Sequence, residues 1–277
     1  MNGKNLGWPS NYTEISATRP VLNVLRRLLD NRFVHCKGHK QQYGPALPGN
    51  RYLPKPAEAY EFWDRQTGRP FSRDFLVGEA ADDITRERVR REVLKILQWQ
   101  GKTRFAAKFT GPARIGFLNS LFPDAYFVHV IRDGRAVVNS LLNVGFWKQK
   151  GGFSSPFWHN GLTTRDLKEW AAADHDAAVL AALQWRKIIT VAQTESRRLA
   201  PERYLEVRYE DFVAAPAAII RTVEEFAKLR APQGRASFET DLRVENMNNK
   251  VFPRSASADL AQANALISPT LKALGYV

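Results

Sequence analysis

With 277 residues, 44% of them hydrophobic, the chain is long enough to build one large α/β domain around a substantial core. Its 41 Lys and Arg against 28 Asp and Glu leave a net charge of +13, which favours anionic partners: a nucleotide, an acidic or sulfated glycan, an anionic lipid surface or nucleic acid. A single cysteine, Cys36, excludes a disulfide framework and a cysteine-based zinc site, and no apolar run is long enough to span a bilayer.

In chain order, residues 2–10 read as a polar leader unlike a signal peptide, so a soluble, cytoplasmic chain is expected. No linker divides the sequence, which predicts a single domain over 1–277 whose first 17 residues are flexible or incomplete. Residues 12–17 predict at most a short polar strand. Pro20 suits the first turn of a helix running to about Asn31, with Leu22, Leu25, Leu28 and Leu29 as its apolar side. A short strand at 33–36 leads into a Gly/Pro-rich loop over 37–55 that carries His39, and a helix over 56–65 bears Glu58, Glu61 and Trp63. The next helix, 83–98, carries Arg86, Arg88, Arg90, Arg91 and Lys95. Glu87 and Glu92 interrupt that series, so it reads as a solvated face laced with ion pairs rather than a nucleic-acid surface. Gly101 stops it.

Residues 105–109 predict a strand ending at Lys108 and Thr110, and 111–114 turn the chain into a helix that ends near Phe122. The near-continuous apolar run 126–131 predicts a parallel strand covered on both faces. From Ala136 the period becomes helical, with Val137, Leu141 and Val144 on one stripe and Asp133 placed to cap the first turn. Arg132 therefore falls at the carboxyl end of a strand beside a helix N-terminus, where anions collect in open α/β sheets, and Ser140 lies about two turns further on. An arginine paired with Asp133 is the alternative reading of that junction. The aromatic and glycine-rich stretch 144–164 reads as a substrate-covering loop or as a flap packed on the core. One or two helices over 166–199, a strand at 204–207, helices over 216–229 and 261–274 and a polar stretch at 235–258 complete the reading, without internal repeat, metal-ligand cluster or nucleophile elbow.

The segment Arg132-Asp133-Gly134-Arg135-Ala136-Val137-Val138-Asn139-Ser140 resembles the 3′-phosphate-binding motif of the sulfotransferases that use 3′-phosphoadenylyl sulfate (PAPS). Three further stretches resemble that family in the same order. They are Lys108-Phe109-Thr110, then Tyr204-Leu205-Glu206-Val207-Arg208-Tyr209-Glu210-Asp211-Phe212, then Leu271-Lys272-Ala273-Leu274-Gly275-Tyr276.

The resemblance implies a three-layer α/β fold, a parallel sheet flanked by helices of the P-loop nucleotide-hydrolase-like kind. It also implies a soluble enzyme that moves a sulfuryl group from PAPS to a hydroxyl or amine without a metal. Arg132 and Ser140 would hold the 3′-phosphate, Tyr209 would abut the nucleotide, and Lys250 or Arg254 would complete the anion site. Arg19 and Asn23, set where the family has a phosphosulfate-cradling loop, would join Lys108 against the leaving phosphate. Pro20 and Val21 depart from the small residues of that loop, since proline lacks an N–H and valine cannot approach a phosphate as glycine does. His39 is the first candidate for the base that takes the acceptor's proton, with His35, Glu58 and Glu61 as substitutes. Two other functions fit parts of the sequence: a homologue that binds the nucleotide without turnover, and a basic nucleic-acid-binding protein, for which no recognition motif is present.

Overall fold

The computed structural model describes residues 5–31, 33–36, 52–149, 151–229, 244–249 and 260–276. It is built on two parallel strand pairs flanked by helices. Strand β1 (Leu6–Gly7) pairs with β2 (Arg104–Phe105), and β3 (Phe127–Ile131) pairs with β4 (Tyr204–Arg208), in register from Phe127 opposite Tyr204 to Ile131 opposite Arg208. The α/β class thus holds, but the described strands form two pairs rather than one continuous sheet.

The amino-terminal segment differs from its expected flexibility. Leu6 to Ser10 are buried, and Ser10 caps a short helix, α1 (Asn11–Ile15), where a polar strand was expected. Gln100 reaches back to the backbone of Trp8 with both ends of its amide, and the Arg26 guanidinium lies 3.7 Å over the Trp8 ring. Gly7 permits this close approach: a Cβ there would meet Leu97 Cδ2 at 2.4 Å. The helix after Pro20 forms as a 3₁₀ turn (Pro20–Asn23) running into α2 (Val24–Leu29), with its faces reversed from expectation. Asn23 and Arg26 point inward while Leu25 and Leu28 are exposed, because Arg26 donates to the carbonyl of Leu6 (2.9 Å) and to Gln100. Residues 33–36 do not form a strand; His35 makes only an isolated bridge to Asp30.

Helices α3 (Tyr60–Thr67), α4 (Asp83–Gln100) and α5 (Ile115–Leu121) enclose one core around Phe62, Trp63, Phe71, Val89, Ile96 and Phe117. Asp82 caps α4, accepting from Thr85 N–H at 2.7 Å, and Gly101 ends it in the left-handed conformation. Trp63 is a core residue, stacked at 5.4 Å on Phe71. The second core lies beneath α6 (Gly134–Leu141), α7 (Gly145–Gln149), α8 (Thr164–Ala171), α9 (Ala177–Ser196) and, later in the chain, α12 (Leu260–Ala273). The aromatics of 144–164 belong to it: Trp147, Phe157 and Trp158 pack on one another, so this stretch is a flap fixed on the core. Helices α10 (Tyr209–Ala214) and α11 (Pro216–Phe226) follow β4.

Strand β3 is not covered on both faces as expected. Val128 and Val130 are 37% and 57% exposed, because their face opens into a cavity of about 2470 Å³ between the two strand pairs. No helix among the described residues is long and apolar enough to cross a membrane.

Candidate functional site

Parallel strands deliver their carboxyl ends to one edge, and the junctions after β3 and β4 meet there. Asp133 caps α6 by accepting from Arg135 N–H at 2.8 Å and forms an ion pair with the Arg135 guanidinium, 2.7 Å at its shortest. Arg132 therefore does not pair with Asp133. It turns toward the start of α10, its guanidinium 5.0 Å from the centre of the Tyr209 ring.

The short segment 244–249 lies over both residues. Arg132 Nε donates to Asn248 Oδ1 (2.6 Å) and a terminal nitrogen donates to the carbonyl of Met247 (2.8 Å). The Tyr209 hydroxyl accepts from Met247 N–H (2.9 Å) and donates to the carbonyl of Glu245 (3.1 Å). Residues 244–249 of the polar stretch are thus held against this junction.

Glu210 ties the junction together. One carboxylate oxygen accepts from Asp133 N–H (3.2 Å) and from the Asn248 amide (2.8 Å), and the other accepts from the Tyr276 hydroxyl (2.8 Å). Burial works against its ionisation, but hydrogen bonds from Asn248, Tyr276 and the backbone outweigh it and hold the carboxyl below its ordinary range. Tyr276, from the last of the four quoted segments, also reaches the carbonyl of Ile131 at 3.3 Å and lies under the Arg208 guanidinium. Three of the four segments therefore meet at one place.

The fourth, Lys108-Phe109-Thr110, lies on the opposite wall of the same cavity, which Arg132 and Tyr209 also line. Lys108 Nζ is 2.5 Å from Glu58 Oε1, and the same oxygen accepts from the Thr110 hydroxyl at 2.6 Å. The Tyr60 hydroxyl bridges both backbone groups of Thr110, donating to its carbonyl (2.8 Å) and accepting from its N–H (2.9 Å). Burial would raise the Glu58 carboxyl, yet the Lys108 ammonium and the hydroxyls of Thr110 and Tyr60 bring it below the ordinary value, and burial raises the Tyr60 phenol. The result is an ionised carboxylate paired with an ammonium whose lysine lines the cavity.

Other expected site residues sit elsewhere. Ser140 is half-buried on α6, does not line the cavity, and its hydroxyl has no hydrogen-bond partner among the described residues. Arg19 is exposed at the start of the 3₁₀ turn, with no side-chain capping bond. Asn23 is fully buried: its carbonyl oxygen accepts from Ser10 Oγ (3.1 Å), Thr13 Oγ1 (3.1 Å) and Gln100 Nε2 (2.8 Å). It organises the β1–α1 turn and offers nothing to a ligand. Arg114, in the turn that leads into α5, is sealed as well, donating to the carbonyls of Asp74 and Pro112 (both 2.7 Å), and burial lowers its pKa to about 10. His35 lines the cavity beside Asp30, 3.6 Å away, and Glu61 lies in the first turn of α3. His39, Lys250 and Arg254 lie outside the described residues.

Sequence reasoning missed Asn248 and the part played by Tyr60, whose contacts arise only in three dimensions. The turn after β1 did leave a signal, a serine followed three residues later by a threonine that completes a capping box.

Comparison with known proteins matches residues 23–233 to a family model described as "Sulfotransferase family". No curated protein matches by sequence. Among solved structures, the sulfotransferase STF9 from Mycobacterium avium is similar with a TM-score of 0.55 at 16% identity, covering 98% of this chain and 71% of that one. A sulfotransferase domain from the curacin biosynthetic pathway aligns over 98% of this chain and 96% of its own, at 13% identity and a TM-score of 0.42. One from the Synechococcus PCC 7002 olefin synthase aligns over 95% and 86%, at 16% identity and a TM-score of 0.35. The likeness to STF9 bears on the fold, an α/β fold of the P-loop-like type.

Proposed function

This chain belongs to the sulfotransferase family, and on that premise we propose that it transfers a sulfuryl group from PAPS to a hydroxyl or amine of a second substrate. The observation that carries this reading is the convergence on one cavity of Arg132 and Tyr209 with Lys108 and Thr110, the last two both bonded to Glu58.

On the first wall, the Arg132 guanidinium grips the 3′-phosphate, exchanging the oxygens of Asn248 and Met247 for phosphate oxygens. A planar guanidinium suits such bidentate, charge-assisted bonds. Lys250 and Arg254 add charge from the segment that follows Asn248, whereas Ser140, which does not line the cavity, stays the motif's candidate for a second donor.

On the second wall, the acceptor oxygen forms a bond to sulfur as the bond from sulfur to the 5′-phosphate oxygen breaks and its electron pair stays on that phosphate. Lys108 neutralises the charge developing there, a task of preorganised electrostatics that resembles phosphoryl transfer. As the ammonium shifts to the phosphate, Glu58 loses the partner that most depresses its pKa and becomes a better base for the acceptor's proton. His39 remains the sequence candidate for the same task.

A second reading, binding without turnover, rests on a specific observation. Arg19 is exposed, Asn23 is sealed, and the side chains of Ser10 and Thr13 in the β1–α1 turn already bond within the protein. Incubation with labelled PAPS across a panel of hydroxyl and amine acceptors decides between the two. Label transfer that is lost in Lys108→Ala supports the enzyme. Nucleotide binding with no transfer to any acceptor supports the binding-only homologue.

A further inference from the structure

The cavity is larger than a nucleotide and a small acceptor need. Its volume is about 2470 Å³, whereas pockets that hold drug-sized ligands run to roughly 300–1000 Å³. Away from the polar groups, its wall is apolar: Phe105 from β2, Val128 and Val130 from β3, and Ile220 and Val223 from α11. A trough along the five residues of β3 is about 16 Å long at a strand's rise per residue.

Two valines of one strand left open in a continuous apolar wall mark a surface whose removal from water is favourable in proportion to its area. The wall is also continuous with the polar site, because Arg132 follows β3 directly and the segment after β2 leads to Lys108 and Thr110. The far end is charged again, with Arg104 and Lys228 at 5.6 and 5.7 Å from the centre of the Tyr126 ring and Asp124 and Glu224 also in the lining.

We propose that the acceptor is an amphiphile, a hydroxyl carried on an extended apolar chain, with the chain lying along Val128 and Val130 and the hydroxyl delivered to Lys108, Thr110 and Glu58. This rests on the sulfotransferase reading for the chemistry at the hydroxyl. The chain site itself rests only on the shape and lining of the cavity.

The test uses the full chain and the fluorescent apolar probe N-phenyl-1-naphthylamine, with calorimetric binding of adenosine 3′,5′-bisphosphate (PAP), the desulfated product of PAPS, measured in parallel. Saturable probe binding is expected, displaced by dodecanol and not by butanol at equal concentration. Val130→Asp should weaken probe binding by about tenfold or more, since a carboxylate placed in an apolar site is poorly solvated, and should leave PAP binding unchanged. Val130 is more than half exposed, so the variant should fold; Val128→Lys serves as a second variant with the same expectation. Absence of probe binding, or a wild-type probe affinity in both variants, overturns the proposal. Probe binding without PAP binding overturns the donor reading and upholds the apolar-chain site.

Discussion

Asn23→Ala tests whether residue 23 belongs to the architecture or to a ligand site. The Asn23 carbonyl oxygen is the common acceptor for Ser10, Thr13 and Gln100, and its amide donates to the carbonyl of Pro20 at 3.2 Å. Removing it leaves three buried donors without that acceptor. At about 1 kcal/mol for each of the three bonds to the carbonyl oxygen, the loss comes to about 3 kcal/mol, and the lost bond to Pro20 and the buried donors left unsatisfied push it higher. For a chain of this size, about 3 kcal/mol lowers Tm by roughly 6–12 °C. Thermal unfolding followed by circular dichroism, with PAP calorimetry at a temperature where the variant is folded, reads both consequences. The expected outcome is a large fall in Tm with PAP affinity unchanged. A Tm within about 2 °C of wild type together with lost PAP binding would refute the reasoning and return Asn23 to the ligand site.

Gly111→Ala should be among the more damaging single-methyl changes. Its φ is +86°, and a Cβ would lie 2.4 Å from the ring of Trp158, itself buried in the aromatic flap. Left-handed strain and overpacking together cost about 3 kcal/mol, read as a lowered urea midpoint; an unchanged midpoint would show that the flap is not fixed as described. For Glu58, the folded-state pKa is depressed, so its contribution to stability is present above the unfolded value of about 4.3 and is lost as pH falls through the folded value. Glu58→Gln should therefore flatten the dependence of unfolding free energy on pH below about 4.3, and parallel acid profiles in the two proteins would contradict the Lys108–Glu58 pairing.

What could be read from the sequence was local. The switch of period after Ile131 and the acid at position 133 marked both the end of β3 and the cap of α6, because cap and helix stripe lie within a few residues of each other. The terminal helix and β4 were legible for the same reason. β1 was not, since two residues are too short to show a period and its partner Arg104 is distant in the chain. The inward turn of Asn23 and Arg26 ran against their polarity, and partners distant in sequence, the carbonyl of Leu6, the amide of Gln100 and the ring of Trp8 among them, make that burial favourable. The open face of β3 was hidden too: an apolar run reports that a strand seeks cover, not whether another strand supplies it. At the candidate site, the motif residues were legible by resemblance, whereas Glu210 as the tie between Asp133, Asn248 and Tyr276 emerges only from contacts far apart in sequence.

The central claim is that Arg132 recognises a 3′-phosphate, and comparing PAP with AMP, which lacks that group, in wild type and in Arg132→Ala tests it most directly by calorimetry. Charge-assisted bonds worth about 1.5–3 kcal/mol predict that wild type prefers PAP by roughly 10- to 150-fold. The preference should collapse in the variant while AMP binding stays the same. Equal affinities for the two nucleotides in wild type, or a preference that survives the loss of the guanidinium, would contradict the account.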